Sequence, residues 1–246
     1  MLFTFNLSSQ DRQSASVYRS ADPFELYNQL TLMRSGFEAD YWVAPLLRYY
    51  EKYKTSELLR FLYLLDAKFS KEIETAADQN ALFASPVFKV ETHDLLRLLS
   101  GGIYGRRYGR YILLKIDLAY HGHTTKFSPP ETISIEHILP QTPEAGSQWV
   151  SDFTEQDREK WTNRLGNLIL LSRRKNTAQS NFDYLQKKEK YFKKNVELFS
   201  NSVRIFNTFN TWTLRDLQKN QKQTLAKLLA LYGMTLNDDE LNRAVE

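Results

Sequence analysis

The chain contains no cysteine among its 246 residues. A disulfide framework and every thiolate zinc site are therefore excluded, and carboxylate, amide and imidazole groups remain as the candidate metal ligands. The sequence also has no internal repeat, no low-complexity run and no glycine-rich phosphate loop. Nothing in it therefore indicates a nucleotide-binding loop of a known type.

Long apolar runs are absent as well. No window is apolar over the length of a bilayer crossing, and the start MLFTFNLSSQDRQ lacks a basic segment followed by an apolar stretch. Membrane spans and a secretory leader are therefore not expected, and we predict a globular protein of the cytoplasm.

The net charge of +4 suits a polyanionic partner, because lysine and arginine gain affinity by displacing counterions from phosphates. Ordinary surface charge explains the same excess equally simply, so composition alone does not identify a nucleic-acid-binding protein.

The first half of the chain repeats leucine, tyrosine and phenylalanine three and four residues apart, for example in SELLRFLYLLDAKF. This spacing is typical of amphipathic helices packed on a core, and it predicts a helical bundle over residues 1–124. A further helix is expected from a capping Thr92 to the glycines at 101 and 102, and another in RYILLKIDLAY.

The pattern changes after HGHTTKFSPPETIS, whose Gly, Pro, Ser and Thr content predicts a connection. ISIEHIL alternates and is β-branched, and LGNLILL is a second short apolar run, so two strands are expected. NFDYLQKKEKYFKK then predicts an amphipathic helix with a basic face. We assign a strand, strand, helix core to residues 125–200 and packing helices to residues 201–246, which makes the fold mainly α.

Four polar residues are distributed over that core. Glu136 and His137 belong to the first expected strand, Asn167 to the second, and Asn176 to the start of the following helix. Two strands covered by one helix can bring such residues to one point although they are far apart in sequence. Asn167 alone would also suit a turn and Asn176 a helix cap.

Together these residue types suit phosphodiester hydrolysis, which needs a deprotonated water and positive charge near the phosphorus centre. An imidazole with an unperturbed pKa of roughly 6.5 can accept a proton from water, so His137 is the candidate general base. Glu136 and Asn176 offer the hard oxygen donors that Mg²⁺ accepts. The Asn167 amide can hold the local backbone or orient the base without taking up the proton.

At these residues the sequence resembles the HNH, or ββα-metal (His-Me finger), nuclease superfamily. The resemblance runs through IEHILPQ and LGNLILLSRRKNTAQSNF and covers residues 107 to 232. Within the superfamily, Glu followed by His-x-x-Pro is most similar to the C-terminal nuclease domain of GmrSD-type, modification-dependent type IV restriction enzymes.

The resemblance implies a metal-dependent DNA endonuclease of a restriction or phage-defence system that acts on modified DNA. It implies Glu136 and Asn176 as ligands of Mg²⁺, with Mn²⁺ as the alternative ion, His137 as the base and Asn167 as the supporting residue. The sequence departs from the wider superfamily in having Glu rather than Asp, and Asn rather than His at the last position. Relatives often carry an upstream, nucleotide-dependent ParB-like domain, so we expect this chain to be a fragment or a separate subunit.

Lysine and arginine are concentrated on both sides of the expected helix. We predict contacts with DNA phosphates from some of these residues, although a solvated helix face would explain them too. The candidates are Arg173, Arg174, Lys175, Lys187 and Lys188.

Two other functions remain open from the sequence. The chain could be a catalytically degenerate module that binds nucleic acid or a partner subunit, which the two departures favour. It could also cleave RNA, since the same residues would suit that substrate.

Overall fold

The structure is a computed structural model. The residues that it describes are 23–37, 42–53, 58–66 apart from 60 and 64, 92–172, 181–193, 199–231 and 234–245. Within these ranges, no helix is both long enough and apolar enough to cross a bilayer.

The described residues of the first part are mainly helical, as the leucine and aromatic spacing predicts. Parts of the predicted bundle, including residues 1–22 and 67–91, lie outside the described residues. The helices are α1 (Glu25–Gly36), α2 (Val43–Tyr53), α3 (Thr92–Ser100) and α4 (Gly109–His121). Helix α4 is buried on almost every side because its residues from Tyr111 to Leu114 are all apolar. Helices from the beginning and from the end of the chain pack on it.

The connection after α4 is fixed against α1 by one buried amide. Asn28 Nδ2 donates to the carbonyl oxygen of Thr125 (2.9 Å), and its Oδ1 accepts from the backbone of Phe127 (2.7 Å). A continuous hydrophobic cluster extends from Leu32 to Val245, so it includes residues from all three of the predicted segments.

The connection leads into a two-stranded antiparallel sheet. Strand β1 (Ile133–His137) pairs with β2 (Leu168–Ser172), with Glu136 opposite Ile169 and His137 opposite Leu168. Every residue of β2 is buried, which its uninterrupted apolar sequence explains. Two short helices lie between the strands, α5 (Gln148–Asp152) and α6 (Glu155–Trp161).

The sequence places Asn167 on the second strand, and the structure corrects this prediction. Asn167 lies in a 3₁₀ turn, Leu165–Asn167, directly before β2. The turn packs on a later helix that the apolar run cannot reveal. A Cβ on Gly166 would lie 2.9 Å from the Cα of Gln221, so this close approach requires glycine.

Within the described part of the chain, four helices follow the sheet, and the second of them packs on β2. They are α7 (Tyr184–Phe192), α8 (Ser200–Thr208), α9 (Leu214–Leu231) and α10 (Asp238–Val245). Leu217, Leu225, Leu228 and Leu229 of α9 are fully buried, so this helix packs on the core through an apolar stripe. Over its described residues the chain is mainly α with one small antiparallel sheet, which confirms the predicted fold class.

Candidate active site

Glu136 and His137 are the last two residues of β1, and their side chains contact different parts of the molecule. The Glu136 carboxylate bonds to Lys187 on α7, whereas the His137 ring contacts Asn163 and Tyr104. Alternation along a strand explains this division, because successive side chains point to opposite faces. The end of β1 therefore joins a carboxylate and an imidazole that are held by separate partners.

The His137 ring is fixed on two sides. Its Nε2 lies 3.1 Å from Oδ1 of Asn163, and Tyr104 packs edge-on against it with ring centroids 4.3 Å apart. The backbone carbonyl of Asn163 also accepts from the amides of Ile103 and Tyr104, at 2.9 and 3.3 Å. Asn163 thereby fixes both the imidazole and the loop that carries Tyr104.

The contact with Asn163 also determines which nitrogen of His137 carries the proton. Since Oδ1 can only accept, Nε2 must donate in the neutral ring, and Nδ1 is left as the acceptor. Burial lowers the pKa of His137, Lys187 lowers it further, and the bond to Asn163 opposes both. The ring is therefore neutral at neutral pH, as a general base must be.

The sequence does not single out Asn163. An asparagine in the loop WTNRLGN is equally suited to a turn, and the residue is separated from His137 by 26 positions. Its place just before LGN, at the entrance to the second strand, is the one signal that points to the site.

Glu136 is paired with a lysine from α7. Lys187 Nζ lies 3.1 Å from Glu136 Oε1 and donates at 2.6 Å to the carbonyl oxygen of His137. Burial raises the pKa of Glu136 and lowers that of Lys187, and the mutual attraction of the two charges opposes both shifts. The lysine thus links α7 to both residues at the end of β1.

This placement differs from the predicted one, in which Lys187 contacts DNA. The Lys187 side chain has 0% exposure, so its ammonium group does not face a phosphate in solvent. The signal was present in the sequence: Tyr184, Lys187 and Tyr191 recur three and four residues apart, and all three are buried on one face of α7.

Of the other basic residues predicted to contact DNA, Lys188 is the one that the structure describes. Lys188 is half-buried, and its Nζ donates to the carbonyl oxygen of Phe209 (3.1 Å) and to Oδ1 of Asn210 (3.2 Å). The remaining predicted phosphate contacts and the predicted second metal ligand lie outside the described residues. These are Arg173, Arg174, Lys175 and Asn176.

Asn167 is completely buried and connects three segments. Its Oδ1 accepts from the backbone of Leu139 (2.8 Å) and from the Trp212 indole (3.3 Å). Its Nδ2 donates to the carbonyl oxygens of Leu139 and Thr162, both at 2.9 Å. Asn167 therefore does not contact the His137 ring. It holds the backbone at Leu139, two residues after His137.

A divalent cation is implied by the resemblance, and the donor chemistry of Glu136 fits one. Lys187 occupies Oε1, whereas Oε2 has no hydrogen-bond partner among the described residues, and 16% of the side chain is exposed. Mg²⁺ is commonly held by one or two carboxylates and several waters. Across the described ranges, no group of three His, Cys, Asp or Glu residues is placed to hold a metal.

Comparison with known proteins identifies the family of the chain. Residues 97–227, more than half of its length, match the family model of the C-terminal domain of GmrSD restriction endonucleases. No curated protein and no solved structure gives a significant match. The matched range includes both strands, Glu136, His137, Asn163, Asn167 and Lys187. The chain therefore belongs to the family of GmrSD restriction endonuclease C-terminal domains and contains a nuclease domain of that type.

Proposed function

We propose that this chain is an HNH-type endonuclease that hydrolyses DNA phosphodiester bonds with the help of a divalent cation. One observation carries the proposal. His137 is a neutral, sterically fixed imidazole whose Nε2 is engaged by Asn163, and it directly follows a carboxylate with an available oxygen.

In the proposed reaction, His137 removes the proton from the attacking water. Nε2 donates to Asn163, so Nδ1 is the atom that accepts this proton. Tyr104 and Asn163 limit rotation of the ring, which keeps Nδ1 in one direction. Asn167 is a positioning residue, because it acts on the backbone at Leu139 rather than on the reacting atoms.

Glu136 and Asn176 are the residues that would hold the cation, Mg²⁺ or, alternatively, Mn²⁺. A bound cation supplies positive charge that stabilises the phosphorus centre and the departing oxygen. Lys187 orients the carboxylate of Glu136 through Oε1, which leaves Oε2 for the cation. For the DNA contacts we retain Arg173, Arg174, Lys175 and Lys188, and we leave out the buried Lys187.

The biological setting follows from the family. Its name supports a restriction or phage-defence role, and we extend this to modified DNA as the substrate. A ParB-like, nucleotide-dependent domain or subunit is the partner that we propose for recognition of the modification. A DNA substrate also suits the predicted location in the cytoplasm.

The experiment is a digestion of DNA and RNA in parallel by the purified chain. We expect DNA cleavage with Mg²⁺ or Mn²⁺, loss of cleavage with a chelator, and recovery when excess cation is restored. Cleavage unaffected by the chelator would exclude a metal-dependent mechanism. DNA binding without turnover would instead favour a degenerate module, and preferential RNA loss would identify an RNA nuclease.

A further inference from the structure

A polar cavity lies between the helical part and the segment that leads into the sheet. Its volume is about 520 Å³, which is in the range of small-molecule sites. One wall is the last turn of α1, including Arg34; the second is Arg110 at the start of α4; the third is the segment Ser128–Glu131.

Two guanidinium groups face this cavity, and neither is fully hydrogen-bonded within the described residues. Arg110 Nε is buried and has no hydrogen-bond acceptor, and Arg34 makes no ion pair or hydrogen bond within the described part of the chain. Buried polar groups are normally satisfied, so an unsatisfied arginine nitrogen at a cavity wall indicates an absent acceptor. Planar guanidinium groups bind phosphate oxygens in pairs, which makes phosphate the matching chemistry.

The rest of the lining suits the remainder of a nucleotide. Thr31, Ser35 and Ser128 offer hydroxyl groups. The ring of Tyr27 is 45% exposed at the cavity and provides a face for stacking.

Charge at the cavity favours an anion. Glu131 is the one acidic residue of the lining and is exposed, so the two arginines leave a net positive charge. Lys126, whose Nζ lies 5.6 Å from the Tyr27 ring centroid, adds a further positive charge beside the cavity.

We propose that this cavity binds a nucleotide unit through its phosphate group, with Arg34 and Arg110 as the phosphate ligands. The nucleotide is either free or part of a DNA strand. Ser128 precedes His137 by nine residues, a span of at most about 30 Å. A strand cut at the end of β1 could therefore place a flanking nucleotide here. Only this second source depends on the proposed nuclease function.

The test uses the intact chain with His137→Ala, so that binding is measured without cleavage. Calorimetric titrations with each deoxynucleoside 5′-monophosphate are compared with the matching nucleosides. A parallel titration measures affinity for a short DNA duplex at several salt concentrations. The same measurements are made on Arg34→Gln, on Arg34→Gln/Arg110→Gln and, as a control, on Arg48→Gln, which replaces an exposed arginine outside the cavity.

If the cavity takes a free nucleotide, monophosphates bind at least about tenfold more tightly than nucleosides, and the double variant loses this preference. If it takes a nucleotide of DNA, the double variant binds the duplex about tenfold or more weakly. The dependence of its duplex affinity on salt concentration also becomes shallower, by about 1 to 2 in slope. Arg34→Gln lies at an exposed helix end, so it gives a partial effect in a folded chain even if the double variant unfolds. Unchanged affinity for both ligands in Arg34→Gln and in the folded double variant would overturn the proposal.

Discussion

Nε2 of His137 lies 3.1 Å from Oδ1 of Asn163, so an exposed asparagine fixes the proton on one nitrogen of a buried imidazole. This relationship gives a direct prediction. Asn163→Ala removes the acceptor and lowers kcat about 10- to 100-fold, the usual cost of an outer partner of a functional histidine. Because Asn163 is exposed, we expect KM and stability to change little.

The matched variant is Asn163→Asp, which keeps an acceptor but adds a negative charge. The charge stabilises the imidazolium and raises the pKa of His137, so activity at neutral pH falls but recovers as the pH is raised. Nitrogen chemical shifts of the ring identify the tautomer independently of activity. Identical pH profiles for the Asp and Ala variants would contradict a role for Asn163 in orienting the proton.

The pair of Glu136 and Lys187 predicts a second effect, on stability. Lys187→Met leaves the largely buried carboxylate unpaired, and we expect a loss of about 2 to 4 kcal/mol in the free energy of unfolding. In a Glu136→Gln background the same change should cost clearly less, since no charge is left to pair. Urea denaturation of the four proteins measures this coupling.

Lys188→Met is the control. Lys188 is the next residue along α7, its side chain is only half-buried, and its ammonium group bonds to neutral oxygens. We expect less than about 1 kcal/mol for it. Equal losses for the two lysine variants would mean that the bond to Glu136 adds no specific stability.

Asn167 gives a third prediction. Its amide makes four hydrogen bonds in a fully buried place, so Asn167→Ala leaves several backbone groups unsatisfied and should cost about 3 kcal/mol or more. Thermal and urea unfolding give the stability. Cleavage at a temperature where the variant remains folded reports on His137, and we expect it to be reduced because the chain at Leu139 is released. If Asn167→Ala were as stable as the wild type, Asn167 would not stabilise the backbone segments that it contacts.

A fourth prediction concerns pH and Asp117, a buried residue of α4. Its Oδ1 accepts from the backbone amide of Asn201 (2.8 Å) in the first turn of α8, and burial raises its pKa to about 7. Between about pH 4 and pH 7 the folded chain holds a proton that the unfolded chain has lost, so this residue makes stability fall as pH rises. At 1.36 kcal/mol per pKa unit the upper limit is about 4 kcal/mol.

The comparison that isolates this effect is Asp117→Asn, which retains an acceptor but does not titrate. The difference in unfolding free energy between variant and wild type should grow in favour of the variant from pH 4 to pH 7 and then level off. A constant difference over that range would show that folding does not raise the pKa of Asp117.

The sequence predicts regular structure well and long-range contacts poorly. Periodicity identifies α1, α4 and α9 because a buried face imposes its spacing on the chain. Alternation places Glu136 and His137 on a strand for the same reason. Asn167 was misplaced by one element, because LGNLILL is one apolar run in the sequence and the turn depends on α9 packing against Gly166.

The partners of the site residues could not be predicted in the same way. Lys187 lies 51 positions from Glu136, and its identity as a lysine suggests an exposed, DNA-facing residue. The one signal for its burial is that it shares a face of α7 with two buried tyrosines. Asn163 likewise has no periodic signal, since its role depends on how two loops meet.

The central claim is that His137 is the base for metal-dependent DNA cleavage, and the most direct measurement compares two histidine variants. Cleavage of DNA with Mg²⁺ or Mn²⁺ is measured for His137→Ala and for His121→Ala. Among the described residues, the His121 ring forms hydrogen bonds only with Thr125 in the connection after α4. Both variants should remain folded by circular dichroism. We expect the first to lose cleavage and the second to retain it, and cleavage at the wild-type rate by His137→Ala would contradict the claim.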